Sequence, residues 1–248
     1  MPKPTGYVVY EGPSRLTGDP IVGIVTLHSD NVKTGDMPQL WIVPRDVSPV
    51  DAVRTGQDAR VCGDCPPRGT GHGARPCYVK VWQSPRAIWA AYKRGKYPKA
   101  TSWEVAEKCE GRPVRLGAYG EPSALPAYVS QDLVSHTSKH TGYTHQWDKG
   151  MHDTLRQVVM ASVDTPDQAL KALAGGWRTF RATLDDVILE HEILCPASKE
   201  AGAKTQCERC GLCDGSHGPT DKRKSIVIKA HGSGASAFAK LYRKDEVQ

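Results

Sequence analysis

With 248 residues, 39% of them hydrophobic, the chain is long enough for one large domain or two small ones and can bury a core, which excludes a disordered tail. Its 33 basic and 27 acidic residues leave a formal charge of +6, a mild excess that permits contact with nucleic acid without requiring it. No apolar run is long enough to span a bilayer, and the opening Met1-Pro-Lys-Pro-Thr-Gly lacks the apolar stretch of a secretory leader, so no membrane partner and a cytoplasmic location are expected.

Only two Phe occur, so the core must rest on Val, Ile, Leu, Ala and the six Trp. Residues 7–10 and 21–27 read as strands separated by the turn-rich Gly12-Pro13 and Gly18-Asp19-Pro20, and residues 40–43 form another short apolar run. Residues 62–77 are a Gly- and Pro-rich loop. Ser84-Pro85 then opens a helix, Ser as cap and Pro at the first helical position, with Ile88, Ala91 and Tyr92 on one face. A strand is expected over 114–118, a helix over 123–134 and an apolar strand over 158–162. Thr165-Pro166 caps a helix that stops at Gly175-Gly176, and residues 177–184 make another strand. Residues 225–230 form a last strand, followed by His231-Gly232-Ser233-Gly234 and a helix through Ala237 and Leu241.

Strand, loop, helix and strand in repetition argue for a parallel α/β architecture. The first expectation is a complete or partial (β/α) barrel, and the alternative is an open doubly wound sheet. Residues 1–60 read as a β-rich segment packed on the main domain of residues 61–248, into which the cysteine-bearing loops 62–77 and 195–213 are inserted.

In a reducing compartment, clustered cysteines are metal ligands more often than disulfides. Cys207-Glu-Arg-Cys210-Gly-Leu-Cys213 is a C-x2-C-x2-C run, and Cys195, followed by Pro196, lies upstream. Three thiolates so spaced turn back toward one centre, and a remote fourth closes it. The pattern resembles that of bacterial ferredoxins, whose isolated ligand is also a Cys-Pro, and it points to a [4Fe–4S] cluster. Zinc is the alternative, although zinc sites more often show two separated C-x2-C knuckles.

Cys62, Cys65 and Cys77 form a second set, C-x2-C-x11-C, with Tyr78 next. Three cysteines can hold a cluster and leave one iron open, or can close over zinc with a fourth ligand, for which His72 and Cys109 are candidates. Alone, Cys109 reads as a small buried side chain. Downstream, the 114–118 strand leads into Tyr119-Gly120-Glu121-Pro122. This order of cysteine loop, helix, strand and Gly-Glu-Pro resembles the start of radical S-adenosylmethionine enzymes. The resemblance implies that Cys62, Cys65 and Cys77 ligate a [4Fe–4S] cluster and that Gly120 and Glu121 contact bound S-adenosylmethionine. That family spaces its cysteines C-x3-C-x2-C and has a second glycine where Tyr119 stands here. The layout is also similar to phage-encoded proteins with an early cysteine loop ending in Cys-Tyr, a late Cys-Pro and C-x2-C-x2-C, and a strand ending in His-Gly. They bring no established activity. For a phage protein, the compartment would be the host cytoplasm.

Other residues are candidates of a simpler kind. His136, His140, His145 and His152 surround Tyr143-Thr-His-Gln-Trp147, which either lines a base-stacking pocket or holds ordinary structural histidines. Asp164 and Arg181 fall at or near expected strand ends, where barrel enzymes place their chemistry, and Asp164 alternatively begins a helix cap. Gly232 and Gly234 allow backbone N–H groups to meet an anion, or simply make a turn. The basic runs at Lys222-Arg223-Lys224 and 240–244 read as solvated surface or a phosphate track.

The leading expectation is an iron–sulfur, radical-S-adenosylmethionine-like enzyme acting on a nucleotide or nucleic acid, with Glu121, Asp164 and His145 as catalytic candidates. The alternatives are a non-catalytic nucleic-acid-binding protein with structural zinc sites, and a metal-containing base-modifying transferase in which Asp164 or Glu121 serves as acid, base or nucleophile.

Overall fold

Each of the early apolar runs becomes a strand: β1 (Gly6–Pro13), β2 (Pro20–Thr26) and β3 (Gln39–Pro44). The computed structural model describes residues 3–69, 75–150, 154–231 and 234–242. Among these the chain is mixed α/β, with two five-stranded sheets and eight helices. β1 and β2 pair antiparallel around a turn at Gly18, and β2 pairs antiparallel with β3. β2 and β3 are buried almost throughout, as strands covered on both faces must be.

From β3 onward every pairing is parallel. β3 lies beside β4 (Val114–Tyr119), and β4 beside the two-residue β5 (His140–Thr141). In the second sheet β6 (Tyr143–Thr144), β7 (Met160–Val163), β8 (Thr179–Thr183), β10 (Ser225–Lys229) and β9 (Glu192–Leu194) pair in that spatial order. A single residue, Gly142, separates β5 from β6. An added Cβ there would lie 2.6 Å from Val159 Cγ1, so the close crossing needs glycine. The pairings leave β1 and β9 at the outer edges of the two sheets; no ladder among the described residues joins those edges.

Helices follow the strands, as parallel connections require. α1 (Pro49–Thr55) and α2 (Ala59–Cys62) come after β3, and α3 (Ser84–Lys93) and α4 (Ser102–Lys108) before β4. α5 (Ala127–Ser135), α6 (Pro166–Ala174), the single turn α7 (Cys207–Cys210) and α8 (Ala235–Tyr242) complete the set. Thr165 caps α6 as expected, its side chain accepting from the Gln168 N–H. At α3 the expectation shifts by one position. Ser84 is already helical, Gln83 occupies the cap position, and no side chain bonds there. The helix expected over 123–134 is split by Pro126, which lacks the N–H a continuous helix would use. A 3-10 turn at Pro122–Ala124 precedes α5. The strand expected over 158–162 starts later, after a 3-10 turn at Leu155–Gln157.

One expected site residue proves structural. Arg181 lies in the middle of β8, 2% exposed, and its Nε and Nη2 donate to the two oxygens of Glu192 at 2.8 and 2.7 Å. Nη2 also reaches the Val187 carbonyl at 2.8 Å, so the pair ties β8 to the segment entering β9. Breaking such a buried pair leaves a charge uncompensated, at a typical cost of about 3–5 kcal/mol. Glu192→Ala should therefore lower unfolding free energy by roughly that amount in a urea titration. A loss under about 1 kcal/mol would show that the pair does not anchor this edge.

Candidate metal centres around one cavity

Successive strand residues face opposite sides of a sheet. In β4 the alternate residues Arg115, Gly117 and Tyr119 line a cavity of about 550 Å3, and Leu116 packs into the core. Thr141, Tyr143 and His145 continue the same period of two through Gly142. Ser162, Asp164, Phe180 and Ala182 do so from β7 and β8, and Ile226 and Ile228 from β10. The cavity is thus the inward face of the parallel strands. Gly120 and Glu121, His145, and Asp164 directly follow β4, β6 and β7, so all four lie at strand carboxyl ends, where open α/β proteins and barrels bind ligands.

All seven cysteines of the two sets line this cavity: Cys62, Cys65 and Cys77 from one loop, and Cys195, Cys207, Cys210 and Cys213 from the other. The first loop is positioned by α2, which ends at Cys62. Arg68 Nε donates to buried Asp58 at 2.8 Å, while its other nitrogens reach the Gly63 and Gly56 carbonyls at 3.2 and 3.0 Å. The Glu121 N–H donates to the Val61 carbonyl at 2.7 Å. Gly120 has φ +82°, and a Cβ there would lie 2.6 Å from the Ile42 carbonyl and 3.3 Å from that of Val61. The glycine of Gly-Glu-Pro therefore lets the cysteine loop close against β3 and β4, in addition to facing the cavity.

The second loop is held by backbone pairing. The Cys195 N–H donates to the Val227 carbonyl at 2.8 Å, the Gly142 N–H to that of Cys213 at 3.1 Å, and the Cys207 N–H to that of Lys33 at 3.2 Å. Arg178 gathers the Leu212, Gly215 and Lys224 carbonyls and the Asp214 carboxylate. In the basic run 222–224, read as solvated surface or a phosphate track, two of the three side chains are engaged within the protein. Arg223 is tied to Asp214 and Asp221, and Lys224 donates to the Glu190 carbonyl.

The four candidate histidines part company. His145 alone of them lines the cavity among the described residues. His136 meets Trp103 edge-on at 4.7 Å, and His140 Nε2 contacts the Asp214 carbonyl at 3.0 Å. His152, His72 and Gly232 lie outside the described residues, as do residues 243 and 244 of the last basic run. Cys109 is fully buried in the main core and does not line the cavity, which removes it as a fourth ligand of the first set. Gly234 does line it, and its missing Cβ allows close approach to the Pro76 carbonyl, so α8 starts against the first cysteine loop.

His145 sits where the first set meets the strand ends. Its Nδ1 lies 3.3 Å from Cys65 Sγ and 3.3 Å from Glu121 Oε1, and its backbone N–H donates to both Glu121 oxygens at 3.1 and 3.2 Å. Nε2 lies 3.8 Å from Asp164 Oδ2, which also accepts from the Tyr242 hydroxyl. Cys65, Glu121 and His145 form a group able to hold a metal ion, their ligand atoms all within 4.8 Å of one another. Burial works against charge on His145, but the hydrogen bond and charge of Glu121, aided by Asp164 and Asp64, outweigh it and raise the imidazole pKa. Burial pushes the Asp164 carboxyl up, opposed by His145 and Tyr242.

Burial also raises the thiols of Cys62 and Cys65, with neighbouring thiols and Glu121 adding to it. In the second set burial raises Cys195, Cys207 and Cys213, and each is influenced by its partners. A metal bound by such thiols would displace their protons, so its binding is coupled to pH. Seven cavity-lining cysteines and one Cys/Glu/His group could thus bind metal. Comparison with protein-family models, curated proteins and solved structures finds no match.

If the second loop is a metal site, Cys207→Ser or Cys210→Ser should remove one centre's metal and lower Tm, because binding free energy there is also folding free energy. Cys109→Ser should leave metal content unchanged in the same elemental analysis. Loss of metal from the Cys109 variant, or its retention in the other two, would reverse the ligand assignment.

Proposed function

We propose that the chain is an iron–sulfur enzyme of the radical S-adenosylmethionine kind, a partial (β/α) barrel that acts on a nucleotide or nucleic acid. The observation that carries this reading is the convergence of both cysteine sets, with Glu121, His145 and Asp164, on one cavity at the strand carboxyl ends. Metal sites that only staple loops have no need to share a cavity of ligand size, which typically runs about 300–1,000 Å3.

The donor chemistry favours clusters. The donors are thiols in two sets. A tetrahedral zinc with thiolates about 2.3 Å away brings its sulfurs to about 3.8 Å from one another. Among the described residues, the group whose ligand atoms all come within 4.8 Å is Cys65, Glu121 and His145; neither cysteine set forms such a tight group by itself. Cys195, Cys207, Cys210 and Cys213 would hold a four-ligand, electron-transferring or structural cluster. Cys62, Cys65 and Cys77 would hold one with an iron left for a cofactor. When bound, such a centre supplies one-electron chemistry to S-adenosylmethionine.

The chain's own residues would do the rest. Glu121 fixes the His145 backbone and ring, and His145, between two carboxylates, holds or moves a proton beside Cys65. Phe180, Ala182, Ile226 and Ile228 give the cavity apolar walls that exclude water. The compact Cys65, Glu121 and His145 group favours a second reading, a single zinc or other ion closed by those three side chains in a protein without radical chemistry.

Protein prepared without oxygen should be brown and contain iron and acid-labile sulfide. After reduction it should bind S-adenosylmethionine and cleave it slowly. Cys65→Ala should end the cleavage and leave the second centre's metal in place, and Glu121→Ala should weaken cofactor binding without removing either metal. Colourless protein that carries stoichiometric zinc after reconstitution with iron and sulfide would falsify the iron–sulfur reading and favour the single-ion alternative.

A further inference from the structure

Among the described residues four arginines are buried: Arg60, Arg115, Arg178 and Arg181. Three of them meet a carboxylate: Arg60 meets Asp46 at 2.7 Å, Arg178 meets Asp214 at 3.1 Å and Arg181 meets Glu192 at 2.7 Å. Arg115 has no carboxylate within ion-pairing distance among the described residues. Its Nη2 donates to the Tyr78 hydroxyl at 2.9 Å, and its Nε, like those of Arg60 and Arg178, is buried with no partner. The side chain lines the cavity and is 9% exposed. A guanidinium left so costs stability unless an anion meets it, and its planar fork suits the paired oxygens of phosphate or carboxylate.

The rest of the cavity has matching features. Lys33, Arg75, Lys80 and Arg115 line it, with Lys229 paired to Asp186, against two described carboxylates, Glu121 and Asp164, and both of these belong to the His145 end. Beside Arg115 in the inward rows are Tyr143 and Phe180, whose rings pack at 4.5 Å between centroids and a 49° tilt, leaving aromatic surface on the wall. A cation and aromatic faces in one cavity fit a ligand with an anionic head and a planar ring.

We propose that Arg115 is the anion anchor of a substrate subsite, and that the substrate is a free nucleoside monophosphate, its phosphate on Arg115 and its base against Tyr143 and Phe180. This rests on the enzyme reading above and narrows its substrate from a nucleotide or nucleic acid to a mononucleotide. Cys207 lines the same cavity, so a metal-bound thiolate is the rival partner for Arg115.

Calorimetric titration of the metal-loaded protein with AMP, GMP, CMP and UMP in turn, with adenosine and inorganic phosphate as controls, tests it. At least one nucleotide should bind, and Arg115→Gln should weaken it by on the order of tenfold or more. Adenosine should bind weakly and be indifferent to the substitution. Phosphate should raise the Tm of the native protein and not that of Arg115→Met, a variant that removes an unpaired buried charge and should fold at least as stably. Phe180→Ala should weaken the nucleotide but not phosphate. Absence of nucleotide and phosphate binding, or equal binding by Arg115→Gln, overturns the proposal. So does loss of the second centre's metal from Arg115→Gln with unchanged nucleotide affinity, which would make Arg115 that centre's counter-ion. Iron and sulfide analysis of the same samples reports separately on the iron–sulfur reading.

Discussion

The two-residue alternation of a β-strand is the constraint from which the candidate site follows. Because β4, β5, β6, β7, β8 and β10 run parallel and in register, the residues on one face of each are carried to the same side. Arg115, Tyr143 and Phe180 meet there, and the residues just past three of the strands, Glu121, His145 and Asp164, gather at the same end. The break at Gly142 does not disturb the order, since Thr141, Tyr143 and His145 keep the period of two across it. A slip of one residue in β6 would turn Tyr143 and His145 outward together.

The cysteine loops are then fastened over this face by similar devices. Arg68 sews the first loop to Asp58 and two of its own carbonyls, and Arg178 sews the second to Asp214 and three carbonyls. In both, a long cation replaces the regular hydrogen bonding that a loop lacks, and a carboxylate offsets its charge. Arg115 is built differently, held by a phenol and facing the cavity without a carboxylate, as suits a residue that awaits something else.

Much of this was legible in the sequence where the signal is local. The cysteine spacings, the strands of the buried sheet and the Thr165 cap each depend on residues a few positions apart. Two further elements carry equally local signals. Ser48 caps α1, bonding the Asp51 N–H ahead of a Pro-led helix, and Thr101 with Glu104 makes a full capping box for α4. What was not legible depends on distant pairing. β5 and β6 have two residues each and show no hydrophobic period, so nothing local distinguishes cavity-lining His145 from His136 against Trp103. Arg181 looked like a strand-end residue because its partner Glu192 lies in an edge strand of three residues that also escaped notice. The isolation of Arg115 could be seen only once every other buried arginine had been matched with its acid.

The central claim is that seven cysteines form two iron-containing centres facing one cavity. Diffraction from anaerobically grown crystals, recorded at the iron and zinc absorption edges, tests it most directly. Two iron peaks are expected, one among Cys62, Cys65 and Cys77 and one among Cys195, Cys207, Cys210 and Cys213, with the inward face of the strands between them. A zinc signal at both positions, or a single ion on Cys65, Glu121 and His145, would contradict it.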